Sequence, residues 1–248
     1  APIAIHNTPW TSNSNTADMS GGAGTTSTLN ITGNTEMKVD RFLMALGANS
    51  VANVVIQDSG KLNKTGGSWM SIGNSNNGVG TMTVKDSGSL VNAAGDFNIG
   101  DVDTSNGTLN LQNNATATIS GPTFIGKNGT TGAVNLTGAS AMTVSNNTNV
   151  GGGSGSHGSL SSGGTSTFLS TGRIHVGPDA GSTGTLLVEG SAVCGTNSYI
   201  SIGYNGGGSM TVKDSATFNG GNDFSVNENG DVATSLTLQD TATVNVTG

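Results

Sequence analysis

The chain has little of what most catalytic and nucleic-acid-binding proteins use. Its 248 residues include one cysteine, two tyrosines, two tryptophans and only eight lysines and arginines together. A single cysteine excludes a disulfide within the chain. The net charge of −7 provides no basic surface for nucleic acid, and no apolar run is long enough to cross a membrane. We therefore expect neither a nucleic-acid partner nor membrane insertion.

Scarce charge (9%) and scarce aromatics (4%), with 41 glycines, could indicate disorder. A strict repeat argues against it. An aliphatic residue followed by a small one or Asn recurs about every 26 residues. The positions are Leu46-Gly47, Ile72-Gly73, Ile99-Gly100, Ile125-Gly126, Val150-Gly151, Val176-Gly177, Ile202-Gly203 and Val226-Asn227. Such a period indicates one supersecondary unit stacked many times.

Alternation of apolar and polar residues predicts short strands within each unit. One strand carries the inward pairs Leu29/Ile31, Val54/Ile56, Met82/Val84, Leu109/Leu111, Val134/Leu136, Leu160/Ser162 (the weakest match), Leu186/Val188, Met210/Val212 and Leu236/Leu238. The next carries Gly60/Leu62, Gly88/Leu90, Ala115/Ala117, Ser140/Met142, Ser166/Phe168, Ala192/Cys194, Ala216/Phe218 and Ala242/Val244. Between them lies a column of turn formers, predicted to be a tight corner: Gly33, Asp58, Asp86, Asn113, Gly138, Gly164, Gly190, Asp214 and Asp240.

Three short strands per unit predict an all-β fold: a single-stranded parallel β-helix, or β-solenoid, of about nine coils of roughly 26 residues. Right-handed winding is expected because parallel crossovers take that hand. Residues 1–20 lack the repeat and are predicted to form an N-terminal cap or arm, with Ile3, Ile5 and Trp10 available to cover an end. Residues 21–248 are predicted to form the solenoid repeats.

The repeat resembles that of a known class of exported proteins. The segments Gly80-Thr81-Met82-Thr83-Val84-Lys85-Asp86-Ser87 and Gly208-Ser209-Met210-Thr211-Val212-Lys213-Asp214-Ser215 are similar to the repeat shared by type V secretion (autotransporter) passengers and PEP-CTERM-type exported bacterial proteins. The resemblance covers residues 40 to 246. It implies a bacterial β-helix that is extracellular or at the cell surface. The low charge and the abundance of Asn, Ser, Thr and Gly agree with that location.

Catalytic residues are hard to find in the sequence. Arg173 beside His175 is the nearest to a basic spot, and Glu189 falls in the same coil on a different strand. His6 and His157 are isolated, and we interpret all three histidines as solvent-exposed bystanders because an imidazole without an orienting partner is not a site. We therefore predict no enzyme and no catalytic or cofactor-binding residues. A cluster of acidic and basic side chains on one face of three adjacent coils would instead favour a carbohydrate-active β-helix.

One loop offers oxygen ligands at alternate positions. Asp101, Asp103 and Ser105 resemble the start of an EF-hand loop, but Gly107 comes one place late and no bidentate Glu follows. The second acidic loop, from Asn227 to Asp231, occupies the same place in its own coil. We interpret both as solvated loop carboxylates and predict no metal site. Cys194 falls on an inward position and is interpreted as a small buried hydrophobe.

The outward positions of one strand form the most ordered surface. They carry Thr, Asn and Ser at most positions, which can hydrogen-bond from coil to coil. A Thr-rich face could also bind ice or a regular polysaccharide, but Val55 and Leu187 interrupt it. Ice binding is therefore the least favoured of the functions considered.

The sequence thus favours an extracellular bacterial structural or adhesive β-solenoid without catalysis. Head-to-tail self-association into fibres or surface layers is expected because the alternation continues to Val246 without a cap. The alternative is a carbohydrate-active or carbohydrate-binding β-helix, similar to a polysaccharide lyase or glycosidase, and a surface polysaccharide is a possible partner in either case.

Overall fold

The protein is described by a computed structural model that covers residues 3–6, 10–11, 16–229 and 232–247. Within these residues it contains 29 strands and no helix. All strand pairs are parallel, and each strand pairs with its counterpart one coil away, which builds three sheets. This is the predicted all-β parallel solenoid of about nine coils with three strands per coil, and its right-handed sense stays a prediction.

The chain visits sheets A, B and C in turn. Sheet A contains β1 (Ile3–His6), β4 (Thr26–Thr32), β7 (Val51–Gln57), β10 (Val79–Val84), β13 (Asn106–Leu111), β16 (Thr131–Leu136), β19 (His157–Ser162), β22 (Thr183–Val188), β25 (Gly207–Val212) and β28 (Thr234–Leu238). Sheet B contains β2 (Trp10–Thr11), β5 (Glu36–Val39), β8 (Lys61–Lys64), β11 (Ser89–Asn92), β14 (Thr116–Ile119), β17 (Ala141–Val144), β20 (Thr167–Ser170), β23 (Val193–Thr196), β26 (Thr217–Gly220) and β29 (Thr243–Val246). Sheet C contains β3 (Thr16–Met19), β6 (Arg41–Met44), β9 (Met70–Ile72), β12 (Phe97–Ile99), β15 (Thr123–Lys127), β18 (Thr148–Gly152), β21 (Ile174–Val176), β24 (Ile200–Ile202) and β27 (Phe224–Val226).

The predicted register is confirmed. Leu109 pairs with Met82 on one side and with Val134 on the other, and all three side chains are buried. The weakest match in the sequence keeps the same register: Ser162 takes an inward position, where its hydroxyl lies 2.8 Å from that of Ser166. A buried hydroxyl with a partner escapes most of its desolvation cost. One polar repeat is therefore tolerated without a change of register.

The corner between sheets A and B explains the column of turn formers. All nine residues of that column have φ between 50° and 70°, the left-handed region that only Gly, Asn and Asp adopt at low cost. Hydrogen bonds also link neighbouring coils at this corner: the backbone amide of Gly190 donates a 2.8 Å bond to Asp214 Oδ2. The sequence column is therefore a backbone requirement of the corner.

The aliphatic-glycine step has a steric origin at the corner between sheets C and A. Gly126, the residue before the last of β15, has a φ of +74°, and Gly132, the second residue of β16, lies directly against it. A Cβ at Gly132 would overlap the backbone nitrogen of Gly126 and the carbonyl oxygen of Ile99. Glycine is needed at such sites because two backbones approach each other too closely for a side chain.

The segment that the sequence sets apart adds strands to the solenoid. Residues 3–6 pair with β4, residues 10–11 with β5 and residues 16–19 with β6, each in parallel. The described part of residues 1–20 therefore forms three strands that follow the path of a coil. These strands lie at the end of the solenoid where a cap was expected. The side chains proposed to cover that end, Ile3, Ile5 and Trp10, lie outside the described residues, as does that of His6.

The interior contains a buried lysine beside its apolar columns. Lys64 lies at the inward end of β8 with no exposed surface. Its ammonium donates to the carbonyl oxygens of Gly66 (2.6 Å), Ser68 and Ala94. Each of the three N–H groups of the ammonium can thus donate to a carbonyl oxygen, which offsets part of the free-energy cost of burying its charge. Burial still lowers the pKa of Lys64 to about 8, against the opposing attraction of Asp40 and Asp96.

Candidate functional site

The outer face of sheet C carries most of the aromatic side chains that reach the surface of the described residues. Phe124 and His175 point outward from β15 and β21. Trp69 and Tyr199 directly precede β9 and β24, and Tyr204 follows β24. Both tyrosines of the chain are therefore on this face. We refer to it as the aromatic face: the outward side chains of sheet C and those that flank its strands.

Tyr199, Tyr204 and His175 form a ring cluster. The centroid of the His175 ring lies 5.6 Å from that of Tyr199 and 6.1 Å from that of Tyr204, both edge to face. The guanidinium carbon of Arg173 lies 5.7 Å from the Tyr199 centroid, and the Tyr199 hydroxyl donates to the carboxylate of Glu228. Edge-to-face and cation–π contacts of this kind hold the rings in fixed orientations. The cluster is therefore a preorganised surface.

These residues line a cleft of 510 Å³ that runs over β21, β24 and β27. Asp223, Asn222 and Ser198 complete its wall. Arg173 directly precedes the first of these strands, and Asp223 and Glu228 flank the third. Acidic and basic side chains therefore meet on one face of three adjacent coils. That is the feature expected of a carbohydrate-active or carbohydrate-binding β-helix.

The surroundings of His175 favour the neutral form of its imidazole. Burial lowers its pKa below the ordinary value, Arg173 lowers it further, and Asp179 opposes both effects. Its Nδ1 atom is inaccessible to solvent and has no hydrogen-bond partner among the described residues, and the same holds for the hydroxyl of Ser201, its neighbour on β24. Buried polar atoms without a partner are uncommon in proteins.

The structure changes the interpretation of the sequence at two residues. His175 is half-buried and contacts two aromatic rings, so its interpretation as an isolated, solvent-exposed bystander is wrong. Glu189 is not part of the cleft: it lies between sheets A and B and forms a 2.8 Å ion pair with Lys213. His157 is exposed, as predicted, and its Nδ1 lies 2.6 Å from the Thr183 hydroxyl.

A second cluster on the aromatic face accounts for the candidate calcium loop. The Asp101 carboxylate accepts 2.9 Å hydrogen bonds from the amides of Asn74 and Asn98, and Lys127 Nζ lies 3.7 Å from it. Asp101 is only 6% exposed, so it is not the solvated loop carboxylate that we predicted. Its oxygens are used within the protein, which leaves Asp103 as the free carboxylate of that loop.

Groups of three or more His, Cys, Asp or Glu side chains able to hold a metal are not found among the described residues. In the second acidic loop, Glu228 binds Tyr199, whereas Gly230 and Asp231 lie outside the described residues. Cys194 is buried as predicted, and burial raises the pKa of its thiol to about 12, so it is not a nucleophile. None of the described segments is a helix of membrane-spanning length and apolarity.

The outer face of sheet A is a ladder of short polar side chains. Asn135 donates a 3.0 Å bond to Asn110, and Ser209 donates a 3.3 Å bond to Thr185, each across neighbouring strands. Such bonds support the sheet. Ice or polysaccharide binding by this face stays untested.

Four residues of the aromatic face were not predicted from the sequence: Tyr199, Tyr204, Trp69 and Phe124. A signal was present, because the position that precedes each strand of sheet C forms its own column in the confirmed register. That column contains Trp69, Asp96, Pro122, Asn147, Arg173, Tyr199 and Asp223. Of this column, only Arg173 was named as a candidate from the sequence.

Comparison with family models, with curated proteins and with solved structures finds no match for this chain. The resemblance of its repeat to those of exported bacterial proteins therefore stays a prediction. Function has to be inferred from the geometry of the aromatic face.

Proposed function

We propose that the protein is an extracellular bacterial adhesive β-solenoid that binds carbohydrate at the cleft of Tyr199, Tyr204, His175 and Arg173, without catalysis. The observation that supports this function is the concentration of aromatic and hydrogen-bonding side chains in that cleft, in a chain with only 4% aromatics. Elsewhere the outward positions carry mostly short Thr, Ser and Asn side chains.

The chemistry of the cleft suits a sugar. Tyrosine rings offer apolar faces on which the C–H face of a pyranose can stack, and they keep a polar edge for hydrogen bonding. Arg173, Asn222 and Asp223 place paired donors or acceptors at the rim, which match vicinal hydroxyls in a bidentate way. Specific pockets combine these features: an aromatic wall and a few polar groups that fix orientation.

Charge argues against polyanionic partners. The chain carries −7 overall, and the cleft contains two carboxylates against one guanidinium. A nucleic acid would be repelled, since its binding depends on many Lys and Arg contacts to phosphate. A neutral, hydroxyl-rich ligand meets no such barrier.

A glycan array tests the proposal. We expect the wild-type protein to bind at least one neutral glycan and the Tyr204→Ala variant to bind it at least about tenfold more weakly, because an aromatic anchor is lost. The matched control is Thr185→Ala on the outer face of sheet A, which should bind like the wild type. Absence of binding to every glycan, or equal loss in both variants, would refute the proposal.

The second candidate is a carbohydrate-active enzyme at the same cleft. It is favoured by one observation: Asp223, Glu228, His175 and Arg173 line a single cleft. Hydrolysis needs two carboxylates, and elimination needs a base beside a cation. We expect no release of reducing ends or unsaturated products from bound glycans. Release that is abolished by Glu228→Gln would establish catalysis.

The remaining parts of the proposal concern location and assembly. The proposed extracellular or cell-surface location is supported by the resemblance of the repeat and by the low charge. Head-to-tail association into fibres or surface layers is a separate hypothesis. Sedimentation at rising concentration tests it, since assembly would increase the sedimentation coefficient.

A further inference from the structure

Three clefts lie in line along the aromatic face. The first, of 250 Å³, is lined by Trp69, Asn98 and Lys127. The second, of 430 Å³, is lined by Phe124 and also by Lys127. The third is the 510 Å³ cleft of Tyr199 and Tyr204. Because they lie over successive strands from β9 to β27, they follow one another along the solenoid axis, and we refer to them together as the groove.

Register makes the groove continuous. Asn98, Phe124, Asn149 and His175 are direct neighbours on β12, β15, β18 and β21. Lys127 is shared by the first two clefts, and the pair Asn149 and His175 joins the second to the third. One outward side chain per coil therefore lies along the groove, at steps of about 4.8 Å. The first of them, Asn98, is buried beneath Lys127.

Aromatic residues recur along this groove. Trp69 is 41% exposed and is held by the guanidinium of Arg41, 5.3 Å from its ring centroid. The ring of Phe124 is similarly held by Lys127 Nζ at 4.8 Å. Trp69 precedes β9 and Tyr199 precedes β24, five strands away in sheet C. Trp69 and Tyr199 are thus separated by about 24 Å along the solenoid axis.

We infer that the ligand is a linear neutral polysaccharide that lies parallel to the solenoid axis and contacts Trp69, Phe124 and Tyr199 at the same time. This inference rests on the proposed carbohydrate-binding function. A periodic chain suits a groove along which amide and aromatic side chains alternate from one coil to the next, as Asn98, Phe124, Asn149 and His175 do. Carboxylates outnumber cations among the residues that line the groove, which disfavours a polyuronate.

The length of the oligosaccharide is the variable that tests this inference. The probes are neutral glucan, mannan, xylan and chitin, followed by a size series of oligosaccharides cut from whichever one binds. We expect affinity, measured by calorimetry, to rise with chain length until the oligosaccharide spans about 24 Å, and then to level off, because linked subsites act as one.

Variants at the two ends of the groove should separate by ligand length. Tyr204→Ala should weaken binding of short and long oligosaccharides alike. Trp69→Ala should leave the shortest unchanged and weaken the longest by about tenfold or more. Val193→Ala removes an exposed apolar side chain from the outer face of sheet B and should change neither.

The outcomes distinguish this inference from the function on which it rests. Affinity that is independent of length and of Trp69→Ala would overturn the axial polysaccharide while leaving a sugar site at Tyr199 and Tyr204. Preference for polygalacturonate over the neutral chains would also overturn it. Failure of every probe to bind would refute the carbohydrate-binding function itself.

Discussion

The outer faces of sheets A and C share one register and one spacing, yet they differ in chemistry. From β4 to β25 the strands of sheet A have six or seven residues, and their outward side chains are short and bond to like neighbours, as Asn135 does to Asn110. The strands of sheet C have three to five residues and are flanked by loops that carry Trp69, Tyr199 and Tyr204. Long strands thus support the solenoid, whereas short strands leave room for a site.

The two faces also differ in how deeply their polar groups are buried. Asn98 and Asp101 on the aromatic face are 1% and 6% exposed, because Lys127 and neighbouring loops cover them. The polar side chains that form the ladder of sheet A are half-buried or exposed, as Asn110 and Asn135 are half-buried. Polar contacts are worth more when buried, since their loss leaves an unsatisfied partner. Substitutions should therefore have unequal effects on the two faces.

The largest effect should come from the side of sheet A that faces the core. Leu109→Asp should abolish folding, because an unpaired carboxylate among buried aliphatic side chains costs several kcal/mol. Asn110→Asp, one residue away on the outer face, should be tolerated. Circular dichroism and urea unfolding measure both. Equal loss of stability in the two variants would contradict the register.

The next effect concerns the buried Lys64, which holds the loop that leads to Trp69. Its folded pKa of about 8 lies below the unfolded value of 10.5, so between these pH values the unfolded state binds more protons. The free energy of unfolding should therefore rise with pH across this window, by up to about 3 kcal/mol. Urea unfolding of the wild type and of Lys64→Met measures it. The rise should be missing in the variant, and an identical pH profile would contradict the assignment.

One substitution on each face compares the stability that their polar contacts contribute. Asp101→Ala should destabilise the protein by about 2 kcal/mol, because the amides of Asn74 and Asn98 lose a buried acceptor. Asn135→Ala removes an equally regular but accessible bond and should cost less than about 1 kcal/mol. Denaturant midpoints of both variants give the difference. Similar values would show that the faces do not differ in energetic role.

The smallest effect should come from His175. Its pKa is lowered in the folded state, chiefly by burial, so its contribution to stability is complete above pH 6.5 and declines as the pH falls from 6.5 towards the folded value. Thermal unfolding between neutral and mildly acid pH should show a decline that His175→Gln reduces. NMR titration of the ring checks the direction of the shift, and a raised pKa would contradict the prediction.

The sequence alone was enough to predict the coil. A repeat of about 26 residues, period-two alternation and a column restricted to Gly, Asn and Asp are local consequences of stacking, because every coil meets the same steric demands as its neighbours. The corner column and the inward position of Cys194 were therefore predictable from residue type and spacing.

Only the tertiary structure determined the site. Arg173, Tyr199 and Asp223 stand in one column, but their types do not repeat, so no periodic pattern marks them. Tyr204 and Glu228 come from loops between sheets, and the path of a loop determines whether they reach the cleft. Asp101 and Lys64 look like ordinary charged residues in sequence, yet coil stacking buries them against specific partners. The repeat determines the path of the backbone. Residues that depart from the repeat form a site only where the stacking of coils brings them together.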